Sequence, residues 1–122
     1  MVLRIYKLKD MIKIRNKFIP FKGFKAINIF GVLFIRKGMV MYDWNYTHEA
    51  IHTEQMKELL FIPFYIWYVV EWLIRLIQYG NAKTAYRNIS FEREAYDRQM
   101  VFGYLDRRKH YSFIKYLKKY GN

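Results

Sequence analysis

Residues 47–58, Thr47-His48-Glu49-Ala50-Ile51-His52-Thr53-Glu54-Gln55-Met56-Lys57-Glu58, decide how the rest of the chain is read. An α-helix turns ~100° and rises ~1.5 Å per residue, so side chains four apart lie one turn above each other on one face. His48 and His52 have that spacing and can offer two imidazole nitrogens to one cation from a rigid support. Glu49 is rotated about a quarter turn from His48. It flanks the same site without binding the ion, within reach of a water held there. The chain has three histidines, and two of them fall in this pattern with a carboxylate in the required slot. The plain alternative is an amphipathic helix whose histidines are buried and hydrogen-bonded. A third ligand elsewhere in the chain is what separates the two readings.

Working outward, Asp43, Asn45 and Thr47 are candidate caps, and the spacing predicts a helix over 44–61 that ends near Pro63. Leu59 to Val70 contains no charge. That run is shorter than the ~20 apolar residues that span a bilayer, so a buried central helix over 63–79 is expected, with Glu71 and Arg75 pairing at its rim. The competing reading lays this helix in one membrane leaflet, where tryptophan and tyrosine favour the interface. Gly80-Asn81 stops it. A third helical region follows over 82–105, broken near Asn88–Ser90 with Ser90 as a new cap. Residues 110–120 place Phe113, Ile114, Leu117 and Tyr120 on one face of a short amphipathic helix.

Upstream, Ala26–Arg36 is rich in β-branched and aromatic residues and reads as strand, with Gly31 marking a bulge or a turn between two short strands. A second strand is expected through Met39–Tyr42, and Pro20-Phe21-Lys22-Gly23 reads as a turn. A strand just before the histidine helix could hold an extended peptide along its edge, or simply cover the helix. Residues 1–19 interleave basic and apolar side chains without a fixed period, giving either a core-packing segment or an arm on a membrane surface. The expected class is α+β, mainly helical: a short N-terminal strand hairpin packed on three to four helices. One domain is expected over 1–122, with a basic N-terminal segment (1–25), a metal-site core (26–100) and a basic C-terminal helix (107–122).

The composition narrows the chemistry. With 53% hydrophobic and 20% aromatic residues the chain can build a core. It has no cysteine, which excludes disulfides, iron–sulfur clusters and thiolate-bound zinc, so any metal site must use histidine and carboxylates. The net charge of +12 is uneven: residues 1–37 carry +9, residues 38–106 carry −3, and residues 107–122 carry +6. Basic ends suit an anionic membrane surface, or merely solubility. Nucleic acid is a weaker expectation, because no nucleic-acid-binding motif appears. No apolar run with a small-residue cleavage site marks a signal peptide, and a cytoplasmic or membrane-peripheral location is expected.

Three segments compete to supply the third ligand. Glu58 sits about 9 Å further along the helix axis than His52 and cannot reach the same ion. His110 lies among Arg107, Arg108 and Lys109, a repulsive setting for a cation, and reads as a surface histidine. Phe91-Glu92-Arg93-Glu94-Ala95-Tyr96-Asp97-Arg98 offers Glu92 and Glu94 on a helix that can fold back on the first. Over residues 26–100 this layout resembles a small gluzincin, the metallopeptidase class with His-Glu-x-x-His on one helix and a glutamate ligand on a second. It is also similar to minimal bacterial peptidase-like domains of unassigned substrate. The resemblance implies Zn2+ held by His48, His52 and Glu92, with Glu94 as the alternative ligand. It implies Glu49 as general base. Tyr96 stands where the family usually has an aspartate that hydrogen-bonds a zinc histidine, and in the Glu94 register Asp97 comes three residues later instead of four. Gln55, Tyr86, Arg93, Tyr96 and Asp97 are the candidates for supporting the ligands or stabilising an oxyanion.

The expected function is zinc-dependent hydrolysis of a peptide or protein substrate. The alternative is a catalytically inactive module of the same fold that binds a membrane surface or a protein partner through its basic ends.

Overall fold

The computed structural model describes residues 11–20 and 24–118. It is α+β and mainly helical. Three short strands, β1 (Lys13–Asn16), β2 (Ala26–Ile29) and β3 (Val32–Arg36), precede helices α1 (Asp43–Glu58), α2 (Ile62–Tyr79), α3 (Ala82–Arg87), α4 (Ser90–Arg98) and α5 (Tyr104–Arg107) and a 3-10 turn at Ser112–Tyr116. The expected turn at 20–23 and the ends of the chain fall largely outside the described residues.

The strand order is β1-β3-β2, parallel for β1 with β3 and antiparallel for β2 with β3. Phe30 and Gly31 form the tight link of the β2–β3 hairpin, both at positive φ, which suits the twist of a two-residue hairpin. Gly31 is thus a turn, not a bulge. Alternation along β3 buries Leu33 and Ile35. Met39–Tyr42 forms no strand. Asn28 ties the sheet to α1: its side-chain amide donates to the Glu49 carbonyl at 2.9 Å and to Thr53 Oγ1 at 2.8 Å.

Helix α1 opens where the Asn45 side chain accepts from the Tyr42 N–H at 3.0 Å. It ends three residues before the expected boundary. Leu60 and Phe61 adopt positive φ, and the chain turns by 111° into α2. Pro63 therefore sits in the first turn of α2, where its missing N–H costs nothing. Gly80, left-handed, closes α2, and the Asn81 side chain caps α3 by accepting from the Thr84 N–H at 2.9 Å.

The expected third helical region is three short helices, with a second break at Gly103, left-handed in backbone. Among the described residues the expected C-terminal helix is only the 3-10 turn, so the basic stretch over 107–118 is not one continuous helix. Nor is α2 buried all round: its inward face holds Phe64, Glu71 and Arg75, and its other face is exposed. The Glu71–Arg75 pair, expected at the rim, is in the interior. Its reason is α4, whose N-terminus has no side-chain cap of its own. Glu71 supplies one from α2, accepting from the Ser90 N–H at 2.7 Å and from the Ser90 hydroxyl at 2.6 Å. A carboxylate at a helix N-terminus satisfies orphan N–H groups and opposes the helix dipole.

Two apolar clusters fix the helices. Ala50 and Ile51 of α1 meet Ala95 of α4 with Tyr104 and Leu105. Met56, Phe64, Ile89, Phe91 and Phe113 form the second. Between them runs a buried ionic group: Arg108 donates to Glu94 Oε2 at 2.6 Å and to Glu58 Oε2 at 2.6 Å. Removing one partner of such a group strands the others in the interior. Arg108→Ala is expected to lower stability by about 3–5 kcal/mol, read as the shift in a urea unfolding curve against wild type.

Candidate metal centre

Helix α1 presents His48 and His52 toward α4, and their Nε2 atoms lie 3.1 Å apart. Each is 3.2 Å from Glu92 Oε1. Nitrogen and oxygen ligands held about 2.0–2.1 Å from a tetrahedral ion are separated from each other by about 3.3–3.4 Å. The three atoms therefore trace one face of such a polyhedron to within a few tenths of an ångström. All three residues are buried, and they form a group that could hold a metal ion.

Hydrogen bonding fixes which atoms face that point. The Gln55 amide nitrogen donates to the Phe91 carbonyl at 3.1 Å and to Glu94 Oε1 at 3.0 Å. Both its N–H bonds are thus used, so the Gln55 oxygen must face His52 and accept from Nδ1–H, 2.8 Å away. His48 Nδ1 has the same kind of partner, Gln99 Oε1 at 2.8 Å. With both protons on Nδ1, two Nε2 lone pairs and a carboxylate oxygen converge. Three acceptors cannot satisfy one another; a cation can satisfy all three.

The electrostatics agree. Burial alone pushes His52 down and Glu92 up, but their attraction outweighs it. His52 is held up at about 9 and Glu92 well below the usual carboxylate range. The pocket thus demands positive charge, and a proton fills that place where no metal does. For Glu49, burial dominates and raises the carboxyl above its ordinary value, against the opposing pull of His52 and His48.

Helix geometry decides between Glu92 and Glu94. Two residues apart, they point ~200° from each other, so only one can meet the two imidazoles. Glu94 is turned from them, to Arg108, Tyr104 and, further along α1, Gln55. Arg93 also leaves the site, bonding the carbonyls of Tyr116 and Lys118. Asp97 pairs with Arg98 at 3.2 Å and accepts from the Tyr116 hydroxyl at 2.6 Å; it too is elsewhere. His110 is exposed and 3.4 Å from Glu58.

Tyr96 does reach the site, edge-on to His48 with ring centres 4.6 Å apart. It makes no hydrogen bond to that imidazole; Gln99 does. Glu92, Tyr96 and Gln99 stand at i, i+4 and i+7, one stripe of α4 and its C-terminal cap, and that spacing is the signal from which Gln99 was legible. Gln55 bears the same relation to His48 on α1. Tyr68, which sequence reasoning passed over, donates to Glu92 Oε2 at 2.6 Å. Only the packing of α2 brings it there.

The site opens on a cleft of about 410 Å³, whose walls include Glu49, Met56, Phe64, Tyr65, Tyr68 and Tyr86. Ala26, Ile27 and Asn28 of β2 form one side. β2 is an edge strand among the described residues. The Arg36 N–H bonds the Lys25 carbonyl at 3.0 Å, which sets the alternation: the backbone N–H and C=O of Ala26 and Asn28 point away from β3. No known protein family, curated protein or solved structure matches the chain.

Titration of the metal-free protein with a divalent transition ion is expected to give one site by calorimetry. Glu92→Ala should abolish it, and Gln55→Ala or Gln99→Ala should weaken it about 10–100-fold. A hundredfold excess of ion over Kd should add about 2.7 kcal/mol of stability, seen as a raised Tm.

Proposed function

We propose that the protein is a zinc-dependent hydrolase that cleaves peptide bonds. The observation that carries this reading is the convergence of two Nε2 lone pairs and Glu92 Oε1 at tetrahedral spacing in a cleft that Glu49 also lines. Two imidazoles and one carboxylate suit zinc, and three protein ligands leave a coordination position free, as hydrolytic sites require. Zinc held there supplies Lewis-acid polarisation of a carbonyl and brings the acidity of water near neutrality.

The chain's own residues supply the rest. Glu49 takes the proton of the attacking water and hands it to the departing amide nitrogen, and a carboxyl raised by burial is matched to both halves of that transfer. Gln55 and Gln99 hold the two imidazoles with Nε2 toward the ion. Tyr68 fixes the far oxygen of Glu92, leaving Oε1 for the metal. Tyr86 lines the cleft and keeps its proton, because burial and then Glu92 raise it. Its hydroxyl lies 3.2 Å from that of Tyr96; with Tyr96 as the donor of that bond, the Tyr86 proton is left for a developing oxyanion.

The edge of β2, unpaired among the described residues, supports a polypeptide substrate. An extended segment laid along it would bond the outward N–H and C=O of Ala26 and the N–H of Asn28, whose C=O already accepts from the Tyr65 hydroxyl at 3.5 Å, bringing a peptide bond over the site, while Phe64 and Met56 receive side chains. Glu49→Gln is expected to reduce hydrolysis of a mixed fluorogenic peptide library by about 10²–10⁴-fold while calorimetry shows the zinc still bound. Full activity in that variant, or no turnover by the zinc-loaded wild type, would defeat the reading.

A further inference from the structure

Helix α2 carries its charges inward. Glu71 and Arg75 are 5% and 4% exposed, whereas Ile62, Ile66, Val69, Leu73, Ile74 and Ile77 are 48–86% exposed. At ~100° per residue these six span an arc of about 140°, on the side opposite Phe64. No polar residue of α2 falls within that arc. Soluble helices put the apolar stripe inward and the charges out; this one is reversed, and a contiguous apolar face of this kind marks a contact surface. Half-buried Trp67 and Trp72 stand on either side of it.

The surroundings of the face select its occupant. Against Val70 and Ile74 lies Leu117, closing a shallow apolar groove, and next to it Ile114 is 47% exposed. Lys115 on that turn and Lys118 just beyond it are exposed. A second copy of the chain fits poorly. Self-pairing helices use a narrower seam, and two copies would each bring +12 and the same lysines to one contact. A bilayer surface fits each feature. The wide aliphatic arc meets acyl chains, tryptophans favour the interface, and lysines meet anionic headgroups. Among the described residues no single helix is long and apolar enough to cross a membrane; an 18-residue helix has the length to lie in its plane.

We infer that α2 docks the protein on an anionic membrane surface, with its outward arc at the acyl boundary and Lys115 and Lys118 among the headgroups. Tyr65, near the edge of the arc, also lines the metal cleft, so docking holds the cleft close to the bilayer. The inference does not depend on the hydrolase reading, and its test needs no catalysis.

The full chain is mixed with vesicles of phosphatidylcholine alone and of phosphatidylcholine with phosphatidylglycerol, and sedimented. Binding to the anionic vesicles is expected, weakened but not lost as salt rises. Bromine-labelled acyl chains should quench the tryptophan fluorescence. Leu73→Glu changes an exposed position, so circular dichroism should report an unaltered fold while vesicle partitioning falls at least about tenfold. The double variant Lys115→Glu/Lys118→Glu should lose the preference for anionic over neutral vesicles. Partitioning of folded Leu73→Glu equal to wild type overturns the inference, as does failure of wild type to bind either vesicle. Concentration-dependent self-association that Leu73→Glu abolishes, without vesicle binding, also overturns it and assigns the face to a second copy.

Discussion

Helix α4 is buried along its first six residues although three of them are charged, and the rest of the structure follows from how each charge is answered. Burying an ion costs several kcal/mol unless a partner with good geometry meets it. Glu94 is answered by Arg108, Arg93 by carbonyls of the C-terminal turn, and the helix N-terminus by Glu71 from α2. Of the two glutamates, Glu92 is the one answered by groups that are not permanent cations, the two imidazoles of α1 and the phenol of Tyr68. With those imidazoles it forms the group that could hold a metal ion.

That distribution also makes the site stiff. A continuous path of hydrogen bonds runs from His52 through Gln55 and Glu94 to Arg108 and Glu58. In a low-dielectric interior each member restricts the next. The orientation of the Gln55 amide, and through it the tautomer of His52, is thus set by an arginine far along the chain. Asn28 does similar work on the other side, gripping the backbone of Glu49 and so fixing the β2 edge relative to the histidine helix.

Helix α2 meets the opposite constraint. Its inward face must supply Glu71 for α4 and Arg75 for the Leu117 carbonyl, so its charges are committed to the interior. What remains to face outward is aliphatic. A reversed helix of this kind is tolerable in water only at some cost, and a lipid surface would remove that cost. The same helix contributes Phe64, Tyr65 and Tyr68 to the cleft of the candidate centre, so one element links that centre to the outward apolar face.

The sequence by itself determined what depends on short-range periodicity. The four-residue step from His48 to His52, the strand character of Ala26–Arg36, the stop at Gly80 and the class of the fold all follow from backbone geometry and side-chain spacing within one element; whether Gly31 made a bulge or a turn did not. Glu92 and Glu94 were both visible as candidates, since each lies on a helix able to return to α1. Their separation was not, because it depends on which side of α4 finds Arg108. Tertiary structure decided that Gln99, not Tyr96, bonds His48, that Tyr68 braces Glu92 and that Arg93 and Asp97 serve elsewhere. It also decided that the Glu71–Arg75 pair turns inward. These outcomes rest on contacts between residues 19 to 51 positions apart, and local pattern carries no record of which distant surface will cover a given face.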